Sequence, residues 1–232
     1  YPNACSQTWA TAYGIGRDGG LADEVLVDPA RIYPMPAGAR PVDAALVEPL
    51  AVTVHGVRRG RPDAGSRALV VGAGSIGLLT VAALRVAGVE VDIVSRHRHQ
   101  SEAAEALGAR VVDPGADTSY MSVFDAVCTQ QTLDACVQAC RPGGTVVEFG
   151  MFWGSVSLTN AWMFKEVSLV PAMAYSHHHD HDDFEAAALL AGSDPTISDA
   201  LVTHVFPLAD APEAFRTAAD RSSGAIKVHL VP

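Results

Sequence analysis

Positive charge is scarce in this chain. It carries 16 Lys and Arg against 26 Asp and Glu, a formal charge of −10 over 232 residues. A field of that sign argues against nucleic acid or an anionic membrane as the main partner. A local phosphate pocket stays open, since it needs only a few basic side chains. Cysteine is equally scarce. Cys5, Cys128, Cys136 and Cys140 are too few and too unevenly spread for a disulfide framework, and a reducing cytoplasm is the expected setting. No apolar run approaches the roughly 18 residues of a membrane span, and no signal peptide is seen at the start. Internal repeats and low-complexity linkers are also missing. What is plentiful is apolar surface: 49% of residues are hydrophobic and only 18% charged. That suffices for a substantial core in one large or two small domains.

Residues 1 to about 45 are rich in Gly, Pro and Asp, and patches such as "ADEVLV" predict short strands between turns. The texture then turns helical. Leu46, Leu50, Val54 and Val57 recur at helical spacing, with Pro49 placed to open or kink the helix. After "RPDAGS" comes a continuous apolar run, "RALVVG", of strand length, followed by a helix in "SIGLLTVAALRVAG" closed by Gly88. "VEVDIVS" predicts a second strand and "SEAAEALGA" a second helix. "RVVD", "FDAVCT" and "GTVVEFG" predict three further strands, and "EVSLVPAM" is a candidate for another. Strands without polar alternation, separated by helices, belong to a parallel sheet covered on both faces. The tail predicts a helix in "DDFEAAALLAG", then "LVTHVFPL", "ADAPEAFRTAAD" and a closing strand in "AIKVHLV".

One motif carries a mechanism. "VVGAGSIG" places Gly72, Gly74 and Gly77 in G-x-G-x-x-G spacing after an apolar strand and at the opening of a helix, with a second strand to follow. Gly72 permits the tight turn, Gly74 lets a pyrophosphate approach the backbone, and Gly77 lets helix and strand pack closely. Ser75 and Ile76 open the helix, whose N-terminus offers N–H groups and a positive dipole end to the anion.

In such a unit the second strand usually ends on an acid that binds the adenosine ribose. Here Asp92 lies near the strand's start, and Ser95 ends it. Serine does not repel a 2′-phosphate as a carboxylate would. Arg96 and Arg98 can bind one through charge-assisted bonds, with His97 and His99 beside them. The expected cofactor is therefore NADP rather than NAD; the alternative is a solvated basic turn.

The ordered set of these pieces resembles the medium-chain, zinc-dependent alcohol dehydrogenases, especially their polyol, butanediol and threonine dehydrogenase branch. "YPNAC", "GRDGGLADEVLV", "EPLAVTVHGV", "VVGAGSIGLLT", "FDAV", "RPGGTVVEFG", "KEVSLV", "LVTHVFPLADAPEAF" and "GAIKVHLVP" follow in that family's order. The resemblance implies an α/β Rossmann coenzyme domain, doubly wound, at roughly 51–177. It would be inserted in a partial, mostly β, GroES-like catalytic domain made of 1–50 and 178–232. It also implies homodimers or homotetramers that pair coenzyme domains through strands near 155–173. The implied reaction is hydride transfer between nicotinamide and a secondary alcohol, polyol or sugar-like ketone, with zinc polarising the substrate oxygen.

The resemblance also shows a departure. Of the family's four structural-zinc cysteines only Cys5 has a counterpart, and the Cys and His-Glu pair that hold the catalytic zinc have none. Glu48 matches a position that supplies the catalytic zinc with a further carboxylate. One carboxylate does not make a site that takes three protein ligands. The chain therefore reads as the C-terminal part of a longer enzyme. The alternatives are a truncated, non-catalytic NADP(H)-binding fragment, which the lost catalytic-domain surface would make prone to aggregate, and a zinc-free NADPH reductase of the quinone reductase branch. "YPNAC" and "EPLAV" argue against the last.

Other residues divide between site and scaffold. Thr129, Gly150 and Met151 close strands whose carboxyl ends face the crevice, as nicotinamide-side contacts. Lys227 resembles the basic residue that reaches the coenzyme phosphates. Cys136 and Cys140 read as small buried hydrophobes, and His55 and His204 as structural. In "HHHDHDD" (177–183) the acids read as the start of the following helix rather than as metal ligands.

Overall fold

The structure, a computed structural model, describes residues 5–177 and 181–232. It divides into two units: one holds the chain up to Val47 and from Ser176 onward, the other is Glu48–Tyr175. Two short helices, α1 (Thr8–Thr11) and α2 (Pro41–Ala44), belong to the first, and α3 (Val47–Gly60) leads into the second. Pro49 is the third residue of α3. Its missing N–H is one of those the first turn leaves unpaired anyway, so it opens the helix without kinking it. Gly56 and Gly60 let α3 lie close to the sheet: a Cβ on Gly56 would stand 2.0 Å from the Phe149 ring, and one on Gly60 2.7 Å from Val147 Cγ2.

Six strands form the sheet of this second unit: β1 (Arg67–Val71), β2 (Glu90–Val94), β3 (Arg110–Val111), β4 (Tyr120–Asp125), β5 (Cys140–Glu148) and β6 (Ser168–Pro171). All pair in parallel, in the order β3-β2-β1-β4-β5-β6. Helices α4 (Ser75–Val86), α5 (Arg98–Ala106), α6 (Gln130–Ala139) and α7 (Asn160–Phe164) make the connections. The chain runs outward through β1, β2 and β3, then returns to lay β4 on the other side of β1. That reversal opens a crevice at the carboxyl ends of β1 and β4, where ligands of such sheets bind.

The core beside this crevice gathers Leu69, Val123, Leu133, Val146 and both Cys136 and Cys140. The two thiols are fully buried and reduced, and burial pushes the Cys140 thiol up to about 12. Lys165 closes α6 by donating from Nζ to the carbonyls of Val137, Gln138 and Cys140 at 3.1, 2.6 and 2.9 Å, a cation where the helix dipole favours one. Asp92 sits mid-strand in β2 at 2% exposure. Arg110 donates to both its oxygens (2.8 and 2.7 Å) and Tyr120 Oη donates at 2.6 Å. Its carboxylate is thus committed to joining β2, β3 and β4.

The first unit contains α8 (Asp183–Ser193), α9 (Thr196–Leu201), α10 (Ala211–Ala219) and a two-stranded parallel sheet of β7 (Val202–Pro207) and β8 (Lys227–Val231). Arg40 ties it together, donating to the buried Asp43, to Asp199 and to the Pro195 carbonyl. Asp182 is the N-cap of α8: it accepts from the N–H groups of Phe184 and Glu185, while Tyr33 Oη and His177 Nδ1 lie 2.8 and 2.7 Å from its other oxygen. His178, His179 and Asp180 of the histidine-aspartate run lie outside the described residues, as do Tyr1–Ala4 of "YPNAC".

Two expectations are corrected. "ADEVLV" forms no strand; Leu26 within it is 94% exposed. Alternating apolar and polar residues make a strand only where a neighbour takes the backbone N–H and C=O groups. Among the described residues of this unit β7 and β8 pair as strands, and Tyr13–Arg17 and His177–Asp182 form isolated bridges. The second helix of the Glu48–Tyr175 unit begins at Arg98, three residues earlier than its apolar pattern suggested. No helix among the described residues is long and apolar enough to cross a membrane.

Candidate functional site

The turn after β1 is built so that only glycine fits two of its three marked positions. Gly72 has φ +98, in the region L side chains rarely adopt. A Cβ there would stand 2.4 Å from Val127 Cγ2, on the loop that follows β4. A Cβ on Gly77 would lie 1.8 Å from the Gly72 carbonyl oxygen, so the first turn of α4 rests directly on the loop backbone. Gly74 differs: it is exposed, with nothing within 4 Å of a Cβ. It is also the N-cap of α4 with no side-chain cap. Close packing at Gly72 and Gly77 thus contrasts with open space at Gly74, beside the positive end of a twelve-residue helix. Such an arrangement leaves room for an anion to press against the backbone. Ser75 and Ile76 form the half-buried start of that helix.

The end of β2 adjoins this turn, because Gly72 N–H donates to the Val94 carbonyl at 3.1 Å. Ser95 follows at once, with its Oγ 2.5 Å from Ser101 Oγ. Arg96 is exposed. Arg98 is the first residue of α5 and donates to Glu102 at 2.7 Å. That bond raises the guanidinium further above its usual range. The pair is surface-exposed and weakly held. His97 and His99 stack at 5.6 Å between ring centroids. The end of β2 thus adjoins the glycine turn, and the residue that follows the strand is a serine rather than an acid. The only acid of the strand interior, Asp92, is engaged elsewhere.

The other predicted residues are more dispersed. Thr129 is the N-cap of α6, its hydroxyl accepting from the Thr132 N–H at 3.2 Å. Gly150 and Met151 follow β5, with Met151 55% exposed. Glu48 is an exposed acid in the first turn of α3, where the dipole favours it. Cys5 is an exposed reduced thiol and Lys227 opens β8; both belong to the other unit. The zinc implied by the resemblance does not find its ligands here. Neither Glu48 nor Cys5 joins a group of three His, Cys, Asp or Glu ligand atoms among the described residues.

One such group does exist, and the sequence reading missed it. Asp125 ends β4, Glu148 ends β5, and the register places them side by side. Cys128 follows in a left-handed turn (φ 60). All three are buried, with ligand atoms within 4.8 Å of one another. Asp125 Oδ1 accepts from the N–H groups of Val127 and Cys128. Its Oδ2 and both oxygens of Glu148 have no hydrogen-bond partner. Burial, then the neighbouring Asp125, pushes Glu148 up to about 7. Burial and the two carboxylates push the Cys128 thiol up to about 12. An acid closing each of two apolar strands was the one visible signal.

Comparison with known proteins follows the same lines. The family described as zinc-binding dehydrogenase matches residues 75–192. The chain is 35% identical over 207 residues to a probable diacetyl reductase, (R)-acetoin forming, of Saccharomyces cerevisiae, covering 80% of this chain and 48% of the relative. It is 30% identical over 226 residues to L-galactonate-5-dehydrogenase of Escherichia coli, covering 92% of this chain and 65% of the relative. Among solved structures, a putative zinc-binding dehydrogenase of Sinorhizobium meliloti bound to NADP superposes with a TM-score of 0.86 at 28% identity, over 99% of this chain and 73% of that one. The chain thus spans about half to two thirds of the length of these curated relatives.

Proposed function

Because this chain belongs to the zinc-binding dehydrogenase family, we propose that it is the coenzyme-binding portion of an alcohol dehydrogenase that prefers NADP. Its substrate class is a secondary alcohol, a polyol or the corresponding sugar-like ketone. The observation that carries the reading is the Gly72–Gly77 turn, with close packing at its two ends and open space at Gly74. The NADP preference rests on Ser95 following β2 where an acid would repel a 2′-phosphate, with Arg96 exposed beside it. The relatives named above, a diacetyl reductase and a galactonate dehydrogenase, support the carbonyl–alcohol substrate class.

In the whole protein, hydride would leave the carbinol carbon for the nicotinamide ring while the hydroxyl proton departs, giving ketone and reduced coenzyme. This chain's part is to hold the pyrophosphate on the α4 N-terminus and the adenosine ribose at Ser95. The nicotinamide would lie toward the loops that carry Thr129, Gly150 and Met151, and Lys227 is proposed as a phosphate contact. Glu48 and Cys5 are proposed as single zinc donors in a protein of the relatives' length. With one donor each they do not form a zinc site among the described residues, and no step is assigned to the metal. Homodimer or homotetramer formation is supported by β6 at the sheet edge and by Trp153 and Phe164, which are 93% and 81% exposed. A cytoplasmic setting is consistent with four reduced cysteines.

The test is a pair of fluorescence titrations, NADPH against NADH, on the chain and on Arg96→Ala. Loss of a charged phosphate contact should cost about 1.5–3 kcal/mol, roughly a tenfold to hundredfold weakening for NADPH and little for NADH. Equal affinity for the two coenzymes would refute the NADP assignment. Binding of neither would refute the coenzyme reading itself.

A further inference from the structure

The Asp125–Cys128–Glu148 group takes no part in coenzyme binding as described, and its chemistry asks for a partner of its own. Two carboxylates at the ends of neighbouring strands are buried together, Asp125 fully and Glu148 at 4% exposure. Unpaired buried carboxylate oxygens are unfavourable unless a proton or a cation satisfies them. Three oxygens stand in that state here: Asp125 Oδ2, Glu148 Oε1 and Glu148 Oε2. The sulfur of Cys128 completes the group, and it accepts the Gly150 N–H at 2.9 Å. A hydrogen bond of that kind stabilises a thiolate.

We propose that Asp125, Cys128 and Glu148 form a binding site for a divalent cation of the zinc type. Four donor atoms are present: Cys128 Sγ, Asp125 Oδ2, and both oxygens of Glu148 acting as a bidentate ligand. With one atom from each residue within 4.8 Å of the others, a cation between them lies no more than about 2.8 Å from each. Drawing the side chains in by roughly 0.5–0.8 Å reaches zinc–ligand distances of about 2.0–2.3 Å. The mixed sulfur and carboxylate set suits zinc. Calcium takes six to eight oxygens, and magnesium keeps several waters that this enclosed place does not supply. On binding, the thiol proton leaves to solvent and the sulfur enters as thiolate. The cation ties the ends of β4 and β5 together beneath Val127, whose side chain lies against Gly72. Its role is therefore to fix the loops that floor the crevice.

This inference stands apart from the coenzyme reading, and its test uses no coenzyme. The full chain is freed of metal with a chelator, dialysed and titrated with Co2+, following the thiolate-to-cobalt charge-transfer absorption, and separately melted with and without Zn2+. One equivalent of Co2+ should give the thiolate band. Saturating Zn2+ should raise the melting temperature by on the order of 5–10 °C. Cys128→Ser should lose the band and Cys5→Ser should keep it. Glu148→Gln, which removes a buried carboxylate and is the variant expected to fold, should bind Co2+ at least roughly tenfold more weakly and lose the Zn2+ shift. A band that survives Cys128→Ser, or disappears with Cys5→Ser, would place the metal elsewhere and overturn the proposal. So would absence of both band and melting shift in the unaltered chain, or a Zn2+ shift unchanged in Glu148→Gln.

Discussion

Alanine at Gly77 and alanine at Gly74 should fail in opposite ways, although the two glycines share one turn. At Gly77 the new methyl would stand 1.8 Å from the Gly72 carbonyl oxygen and 2.9 Å from its carbon. Both are backbone atoms of a loop already pinned at Gly72 by its bond to Val94. The helix must retreat by more than an ångström, and overpacking of this kind costs about 1–3 kcal/mol. At about 2–4 °C per kcal/mol for a chain of this size, Gly77→Ala should melt roughly 2–12 °C lower.

At Gly74 nothing lies within 4 Å of the methyl, and φ −77 with ψ −173 is a conformation alanine adopts freely. Alanine is a poorer N-cap than glycine by a few tenths of a kcal/mol. Its more restricted unfolded chain returns about 0.4–1 kcal/mol. The two nearly cancel, so Gly74→Ala should melt within about 2 °C of the unaltered chain. Its methyl, however, fills the space against which a pyrophosphate must press, and NADPH affinity should fall at least about tenfold, or roughly 1.4 kcal/mol. Differential scanning calorimetry and a coenzyme titration on both variants decide the matter. Gly74→Ala binding NADPH as the unaltered chain does would mean that the anion does not lie on this turn, and the functional reading would fall with it.

Two further outcomes follow from packing and charge in the same unit. Burial raises the Asp92 carboxyl, but its bonds from Arg110 and Tyr120 outweigh that and hold it below the usual carboxylate range. Its stabilisation is therefore present above the unfolded value of about 3.9 and lost as pH falls through the lower folded value. Asp92→Asn should cost about 1.5–3 kcal/mol near neutral pH, and the gap in urea midpoints should narrow below about pH 4; a gap that stays constant would contradict the charged pairing. Gly56→Ala drives a methyl into the Phe149 ring, at 2.0 Å from Cε1. It should lower stability by about 1–2 kcal/mol as the ring yields, read by the same urea unfolding, and no change would show that α3 does not sit as closely as drawn.

The sheet was legible in the sequence because its strands are buried on both faces. Ala68–Val71 and Val91–Ile93 are apolar or internally satisfied along their length, and a run of that texture between helices has few other homes. The glycine turn was legible for a stronger reason: Gly72 is demanded by its left-handed φ of +98 and Gly77 by its contact with the Gly72 carbonyl oxygen. Asp92 could be set aside from the ribose by position alone, but its engagement with Arg110 and Tyr120 could not be foreseen. Those partners arrive 18 and 28 residues later, and the sequence does not say which strands become neighbours. The short strands expected near "ADEVLV" failed on the same point, since alternation describes a face and pairing requires a neighbour.

That same gap hid the metal-type cluster. Asp125 and Glu148 each look ordinary alone, an acid closing an apolar strand. Neither acquires its chemistry until β4 and β5 pair in register and bury both ends in one place. A sheet edge would let such acids turn to water; here β5 lies between β4 and β6, and β4 between β1 and β5, so neither acid has an exit. Two unpaired buried carboxylates are costly, whereas valine at 148 would fit an apolar strand without that cost. Their burial beside a thiol that accepts the Gly150 N–H makes sense if something positive occupies the space between them. A crystal of the Zn2+-treated chain with anomalous density at this point, and none after Glu148→Gln, would show that occupant directly.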